Sequence, residues 1–511
     1  MLEPDQNASY RSLPKKGQLA IRCLARLADP LAISSIQSYL FYQLRFFSPH
    51  ATDAAIATQA GVLVGARTTA QVITGMLWGR LADSEIWGRK MVLFIGLGSC
   101  GISYIGYGFA RSFPTALFWQ VFAGLMSNNV AITRCIVAEF NPEKGYPFSL
   151  LHSPPPSPTA QLLGPLIGGL LSSNSGSVTS QSGFPYLFPN LLIAGLYLGV
   201  AVLVLFYMEE TLESLQGAKT QFTERMVKRL RQQFSSTRTC EGENEDRSTE
   251  PLIPSANNDI PSQFTPLLPN PTPTPVRKLP FRRIWTPNVL FTILSHFIIV
   301  GHLGTFSNLW AIFLTTPVGP LPQGPLHFTG GLGMISRNVG FALSLAGGTS
   351  MLLQLTLYPI LQERFGTLKI WRTALFVFPL VYVVAPYPSL LASSGKFKGQ
   401  TVGVWLAMNA VLLLFTIGRT GVVPTTTLLI NDCTPHPSVR GTIHAAATVL
   451  GHLSRSIFPV VALTVFGQGL RLGVVGLGFW CLAVLAVASC VASAWVREED
   501  REDIGLEVEG S

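Results

Sequence analysis

The chain has 511 residues, of which 48% are apolar and 12% charged, with a formal charge of +9, and its charge content is about half that of a typical soluble protein. The Lys and Arg lie between and outside long apolar stretches instead of forming one basic face, which argues against nucleic acid as a partner. The seven cysteines include no C-x-x-C pair, so neither a disulfide framework nor a zinc site is indicated.

The first residues, MLEPDQNASYRSLPKKG, are polar and lack the apolar core of a cleavable signal, so the first span itself is expected to direct insertion. Crossing a bilayer takes about 20 apolar residues at roughly 1.5 Å rise each. Stretches of this kind fall at 18–42, 56–78, 91–110, 114–138, 148–171 and 186–208, and again at 289–315, 335–358, 368–391, 402–430, 442–466 and 472–495. The intervening segment starts with charged residues of helical character. It then becomes rich in Ser, Pro, Asn and acids, and is too poor in apolar surface to fold. The pattern predicts an all-α membrane protein with twelve transmembrane helices in two pseudo-symmetric six-helix bundles, 18–208 and 284–495. A cytoplasmic, largely disordered linker, 209–283, joins them, and the tails are 1–17 and 496–511.

Positive charge sets the orientation. With the N-terminus inside, Arg11, Lys15, Lys16, Arg80, Arg89, Lys90, Lys144, Arg364, Lys369, Arg440 and Arg497 are cytoplasmic. The opposite side keeps Arg45, Arg111, Lys396, Lys398 and Arg471. Both termini are therefore expected in the cytoplasm.

Ionisable residues inside spans are costly and mark function. In the first span Asp29 and Arg26 are three apart and can pair, and Pro30 deprives the Arg26 carbonyl of its helical donor. Asp29 is the proposed proton-coupling acid, with Arg26 as its neighbour. In the eleventh span His452 and Arg455 repeat the spacing, and Pro459 frees the Arg455 carbonyl. His452 is a second proton-coupling candidate because imidazole titrates near neutral pH. Arg67, Arg419 and Arg455 lie deep in their spans with Asp29 as the one acid at comparable depth. Guanidinium groups so placed would suit a carboxylate or phosphate on the substrate; pairing with helix carbonyls and polar neighbours is the alternative. His302 is a further substrate-contact candidate, while His296 and His302, six apart, face different directions and are no metal pair.

Between the second and third spans, Gly79, Asp83, Gly88, Arg89 and Lys90 can form a latch. Asp83 would sit at a helix N-terminus and pair with Arg89 or Lys90, and the glycines would permit close turns. The corresponding turn between the eighth and ninth spans repeats the pattern with Pro359, Glu363, Arg364 and Gly366, as expected of parallel transporter repeats with substrate bound between them. Gly164, Pro165, Gly168 and Gly169 would kink the fifth span and admit a neighbouring helix. Its first half holds Pro147, Pro154, Pro155, Pro156 and Pro158, which fits either a broken helix lining a cavity or an aberrant splice.

GRLADSEIWGRK closely resembles the signature G-x-L-x-D-x-x-G-R-K/R of the major facilitator superfamily, with two extra residues before Gly88. Together with LLGPLIGG it resembles the motif pair of the proton-antiporter branch, although Leu151 and Ala160 stand where that pattern has Ser and Gly. LPKKGQLAIRCLARLADPLA, LPFRRIWTPNVL and NDCTPHPSVRGTIH are similar to fungal members of the tetracycline-resistance-like, drug:proton antiporter group, a neighbourhood that includes the zinc-induced-facilitator-like proteins. The plant branch's cysteine-rich N-terminal motif is missing, so a metal-chelate role is not carried over.

The resemblance implies a secondary active transporter that exports a small organic molecule, such as a drug or fungal secondary metabolite, in exchange for protons. It would work as a monomer without cofactor or metal, in the plasma membrane in preference to the vacuolar one. A nutrient importer of the same fold and a transport-inactive receptor remain as alternatives. No Ser-His-Asp order, phosphate loop or H-E-x-x-H helix appears, so no enzyme is expected.

Overall fold

The computed structural model describes residues 16–82, 84, 87–127, 156–172, 183–208, 284–393, 401–434 and 440–497. Each of the twelve predicted spans carries helix. In the first bundle these are α1 (Lys16–Gln37), α2 (Leu40–Phe47), α3 (Asp53–Ala82), α4 (Gly88–Gly108), α5 (Phe113–Met126), α6 (Pro156–Leu171) and α7 (Leu187–Tyr207). The second bundle comprises α8 (Pro287–Thr315), α9 (Ser336–Phe365), α10 (Thr367–Leu375), α11 (Val377–Val384), α12 (Pro388–Ser393), α13 (Val402–Asp432), α14 (Arg440–Leu472) and α15 (Leu477–Ser493). Among the described residues, the extended pairing is a single bridge, Val318 with Gly330.

Local chemistry accounts for several helix ends. Thr286 caps α8, its hydroxyl accepting from the Val289 N–H at 3.3 Å, and Pro287 follows at the first helical position, where no donor is needed. Pro156 and Pro158 lie in the first turn of α6, where N–H groups have no intrahelical partner. At these positions the two prolines cost the helix no hydrogen bond. Pro147, Pro154 and Pro155 are outside the described residues.

Among the described residues, seven helices are long and apolar enough to cross a bilayer by themselves. The long helices α1 and α3 are not among them, because they carry Arg22, Asp29 and Arg67, all buried. In lipid such groups must turn toward protein.

The bundles meet along two seams, α3 against α14 and α6 against α9, lined by small residues that let backbones approach. A Cβ at Gly61 would stand 3.1 Å from the Pro459 carbonyl oxygen, and one at Gly169 would stand 2.6 Å from the Ser336 oxygen and 3.0 Å from Gly340 Cα. Further ties at this end join Gln37 Nε2 to Asn308 Oδ1 at 3.1 Å and the Tyr42 hydroxyl to the Met334 carbonyl at 2.7 Å. The same face of α3 continues, in steps of three and four residues, from Gly61, Gly65 and Thr68 to Gly75 and Gly79. At the last two a Cβ would meet nothing within 4 Å. On α9, Gly347 still lies against the α6 backbone. The seams thus close at the Gly61 and Gly169 end, and the α3 seam parts toward the turn that follows Gly79.

Candidate functional site

Inside the first bundle five helices or their ends converge on one carboxylate. Asp29 Oδ1 accepts from the Tyr197 hydroxyl of α7 at 2.5 Å and from the Ser127 hydroxyl at the end of α5 at 3.0 Å. Arg67 of α3 brings Nη2 to 3.6 Å from the same oxygen. The Arg67 guanidinium also donates to the Tyr104 hydroxyl of α4 and, at 3.1 Å, to Gln120 Oε1 of α5. Tyr104 and Tyr197 stack at 5.4 Å and wall the pair off, and Asp29 and Arg67 are each only 5% exposed.

Spacing suggests Arg26 as the partner of Asp29; the structure brings in Arg67 from another helix. Arg67 reaches straight across the bundle interior, while Arg26, one turn back on α1, is half-buried. Arg67 is also not the uncompensated guanidinium expected from the charge count. Separating a buried pair by removing one partner costs about 3–5 kcal/mol, so this pair is a strong constraint on how α1 and α3 sit.

A second polar group lies where the two bundles meet. Arg419, midway along α13, donates to Gln161 Oε1 and, at 3.1 Å, to Ser157 Oγ, both on α6 of the other bundle. Arg455, midway along α14, is exposed. The Arg455 carbonyl, which Pro459 leaves without a helical donor, lies 3.1 Å from the Thr68 hydroxyl of α3, whose one proton is shared with the Val64 and Gly65 carbonyls of its own helix. His452 is half-buried one turn earlier on α14.

His302 does not reach this cleft. It is fully buried in the second bundle, its Nδ1 2.8 Å from the Tyr382 hydroxyl and its ring packed edge-on against Phe378 and Tyr382. These contacts support a packing role beside the substrate-contact role expected from the sequence. His302→Phe is expected to leave transport unchanged, whereas His302→Ala should lower stability by about 2–5 kcal/mol through the cavity it leaves. Thermal unfolding in detergent beside a flux assay tests this, and lost transport in the Phe variant at unchanged stability would contradict it.

The turn after α3 and its counterpart after α9 share a backbone device. Gly88 and Gly366 have φ of 68° and 76°, a region in which L side chains are strained, and each leads into the next span. The Gly88 N–H bonds the Ser84 carbonyl at 3.1 Å, and Arg89 is buried. Asp83 lies outside the described residues. The Gly-Pro segment of α6 faces two ways. A Cβ at Gly164 would stand 2.7 Å from the Leu31 carbonyl oxygen and one at Gly168 would stand 2.8 Å from the Ser35 carbonyl carbon, both on α1, while Gly169 faces α9.

Sequence reasoning passed over Tyr104, Gln120, Ser127, Tyr197, Ser157 and Gln161. The available signal was their polarity at mid-span: a hydroxyl or amide in lipid needs a partner, so it points toward buried charge.

In comparison with known proteins, residues 31–459 match the family described as Major Facilitator Superfamily. The chain is 30% identical to the major facilitator superfamily multidrug transporter mfsB of Aspergillus fumigatus, over 95% of this chain and 84% of that one. It is 22% identical to the efflux pump azaK of Aspergillus niger, over 94% of this chain and 88% of the other. A solved D-xylose-proton symporter shares the fold with a TM-score of 0.61 at 12% identity, covering 94% of this chain and 98% of its own.

Proposed function

Because this chain belongs to the major facilitator superfamily and is a membrane transporter, we propose that it exports a small organic molecule in exchange for protons, with Asp29 as the acid that changes protonation. The observation that carries this reading is the buried Asp29 and Arg67 pair, roofed by Tyr104 and Tyr197. A proton on Asp29 removes the charge that holds Arg67 toward α1. A buried guanidinium without its counter-ion is expensive, so protonation favours a different setting of α3. That helix also forms one of the two seams and brings Thr68 within reach of the Arg455 carbonyl, which connects the acid to the gate.

The cleft opens on the side of the Gly79 to Gly88 turn. The distribution of Lys and Arg supports placing that side, both termini and the 209–283 linker in the cytoplasm. In this state the transporter accepts cargo from the cytoplasm, acting as a monomer in the plasma membrane.

The test is flux in proteoliposomes containing the purified full chain, under an imposed pH gradient, with matched neutral and charged aromatic compounds. Accumulation against the concentration gradient that collapses with a protonophore is the expected result. Flux indifferent to the pH gradient would overturn proton coupling, and accumulation in the same direction as proton flow would identify an importer.

A further inference from the structure

α15 runs back along α10 and α11, and an apolar groove of about 330 Å³ is lined by Phe376, Pro379, Val487, Cys490 and Val491. Phe376, Val487 and Val491 are exposed, so the groove opens on the lipid. One end of it is polar. Arg372, one turn before Phe376, donates from Nε to the Ser493 carbonyl at 3.3 Å and from Nη2 to the Ala494 and Val496 carbonyls at 3.4 and 2.8 Å. These carbonyls lie at the C-terminal end of α15, where the helix supplies no donors of its own. They hold the guanidinium in place without neutralising it, and among the described residues no carboxylate forms an ion pair with it. Lys369, on the same face of α10, is exposed. Trp495 sets the depth: it is exposed and stacks on Phe291 at 5.6 Å, and tryptophan at the end of a span belongs at the headgroup level. Cys490 and Val487 are then about 8 and 12 Å deeper, within the roughly 15 Å of hydrocarbon in one leaflet.

We propose that the groove holds one acyl chain of an anionic glycerophospholipid, whose headgroup lies against Arg372 and Lys369. The apolar walls and the two cations match the two ends of such a molecule in order and in depth. A neutral lipid can fill the groove, but only a charged headgroup gains charge-assisted bonds from a guanidinium that α15 has already oriented. In the orientation proposed above, this end faces the cytoplasmic leaflet, where anionic lipids are concentrated. The headgroup meets the same arginine that caps α15, and the chain lies between α15 and the segment from Phe376 to Pro379. A bound lipid therefore clasps α10 and α11 to α15 from outside the bundle, and stabilises the folded second bundle in proportion to its occupancy. This site is separate from the transport cleft and holds whichever molecule is carried.

The experiment uses the purified full chain in detergent micelles doped with dioleoylphosphatidylserine, dioleoylphosphatidylcholine or dioleoylglycerol, which share their chains and differ in headgroup. Native mass spectrometry reads how much lipid each chain retains, and thermal unfolding reads the stabilisation. One phosphatidylserine per chain should be retained at least about tenfold better than either other lipid, the worth of two basic residues near a membrane surface, and should raise the unfolding temperature most. Lys369→Gln, at an exposed site, should weaken that retention about fivefold and leave the stability of the lipid-free protein unchanged. Val487→Phe should abolish it by filling the groove, and Val487 is half exposed, so the larger ring has room. Leu380→Phe, on an exposed face of α11 outside the groove lining, should change nothing. Equal retention of all three lipids would mean that the acids of 498–503, and not a headgroup, answer the two cations, and it overturns the inference. So does retention of phosphatidylserine that is no better than that of phosphatidylcholine, that survives Val487→Phe, or that falls as far with Leu380→Phe.

Discussion

Asp29→Asn is expected to abolish accumulation of cargo against its gradient while leaving exchange of labelled for unlabelled cargo across the same membrane. Asparagine keeps the shape of the carboxylate and one oxygen for the Tyr197 and Ser127 hydroxyls, now at 2.5 and 3.0 Å from Asp29. It cannot take up or release a proton, so nothing couples the pH gradient to the turn of the cycle. The substitution also leaves Arg67 without its ion-pair partner in the bundle interior, at a cost of about 3–5 kcal/mol. Loss of transport alone would therefore not distinguish coupling from misfolding. The double variant Asp29→Asn with Arg67→Gln removes both charges; its thermal stability should recover toward that of the parent, because paired removal of buried charge is often close to neutral. Uphill accumulation should not recover. A single variant that still concentrates cargo under a pH gradient, or a double variant that regains this ability, would remove Asp29 from the mechanism.

The sequence carries the parts of that site but not their assembly. Asp29, Arg67, Arg419 and Arg455 are conspicuous because charge in an apolar stretch is rare, and the span pattern follows from composition. Which arginine meets the acid depends on how each helix is rotated about its axis. In water an amphipathic stripe would reveal this; in a bilayer the outward face is as apolar as the packed one, so α3 offers no such stripe. Glycine is more informative. Gly61, Gly65, Gly75 and Gly79 run along one face of α3, a stripe of small residues readable in the sequence as a seam. Where the seam ends and the cleft begins is not readable, since that is a property of the conformation. Pro459 is an intermediate case. Its effect on the Arg455 carbonyl follows from the ring's missing N–H, but the hydroxyl that comes within reach of it, Thr68, lies 387 residues away in sequence. His302 shows the limit of polarity as a signal: it suggests contact with cargo but gives no hint of the Tyr382 partner and aromatic neighbours around the ring in the second bundle.

The two-faced glycine segment of α6 yields the other large effect. Gly169→Leu is expected to prevent the seam with α9 from closing, and Gly168→Leu, one residue earlier, to damage the fold of the first bundle instead. At Gly169 a Cβ would already be 2.6 Å from the Ser336 carbonyl oxygen and 3.0 Å from Gly340 Cα. These are backbone atoms, which cannot swing aside as a side chain can. The overpacking, about 1–3 kcal/mol, falls on a contact between bundles that alternating access must open in any case. The protein can relieve it by parting the seam, a population shift of about ten- to a hundredfold. Gly168 faces the Ser35 carbonyl of α1 within its own bundle, and no step of the cycle separates those helices, so its replacement has no such relief. A cysteine in place of Gln37, at the closed end beside Asn308, reports the difference through its reaction with a membrane-impermeant maleimide. In the Gly169→Leu background its labelling should rise by at least about tenfold while thermal stability stays near that of the parent and transport is lost. In the Gly168→Leu background stability should fall first. Unchanged labelling and transport with Gly169→Leu would mean that the α6 and α9 seam is not a gate, and that the closure at this end is carried by α3 and α14 alone.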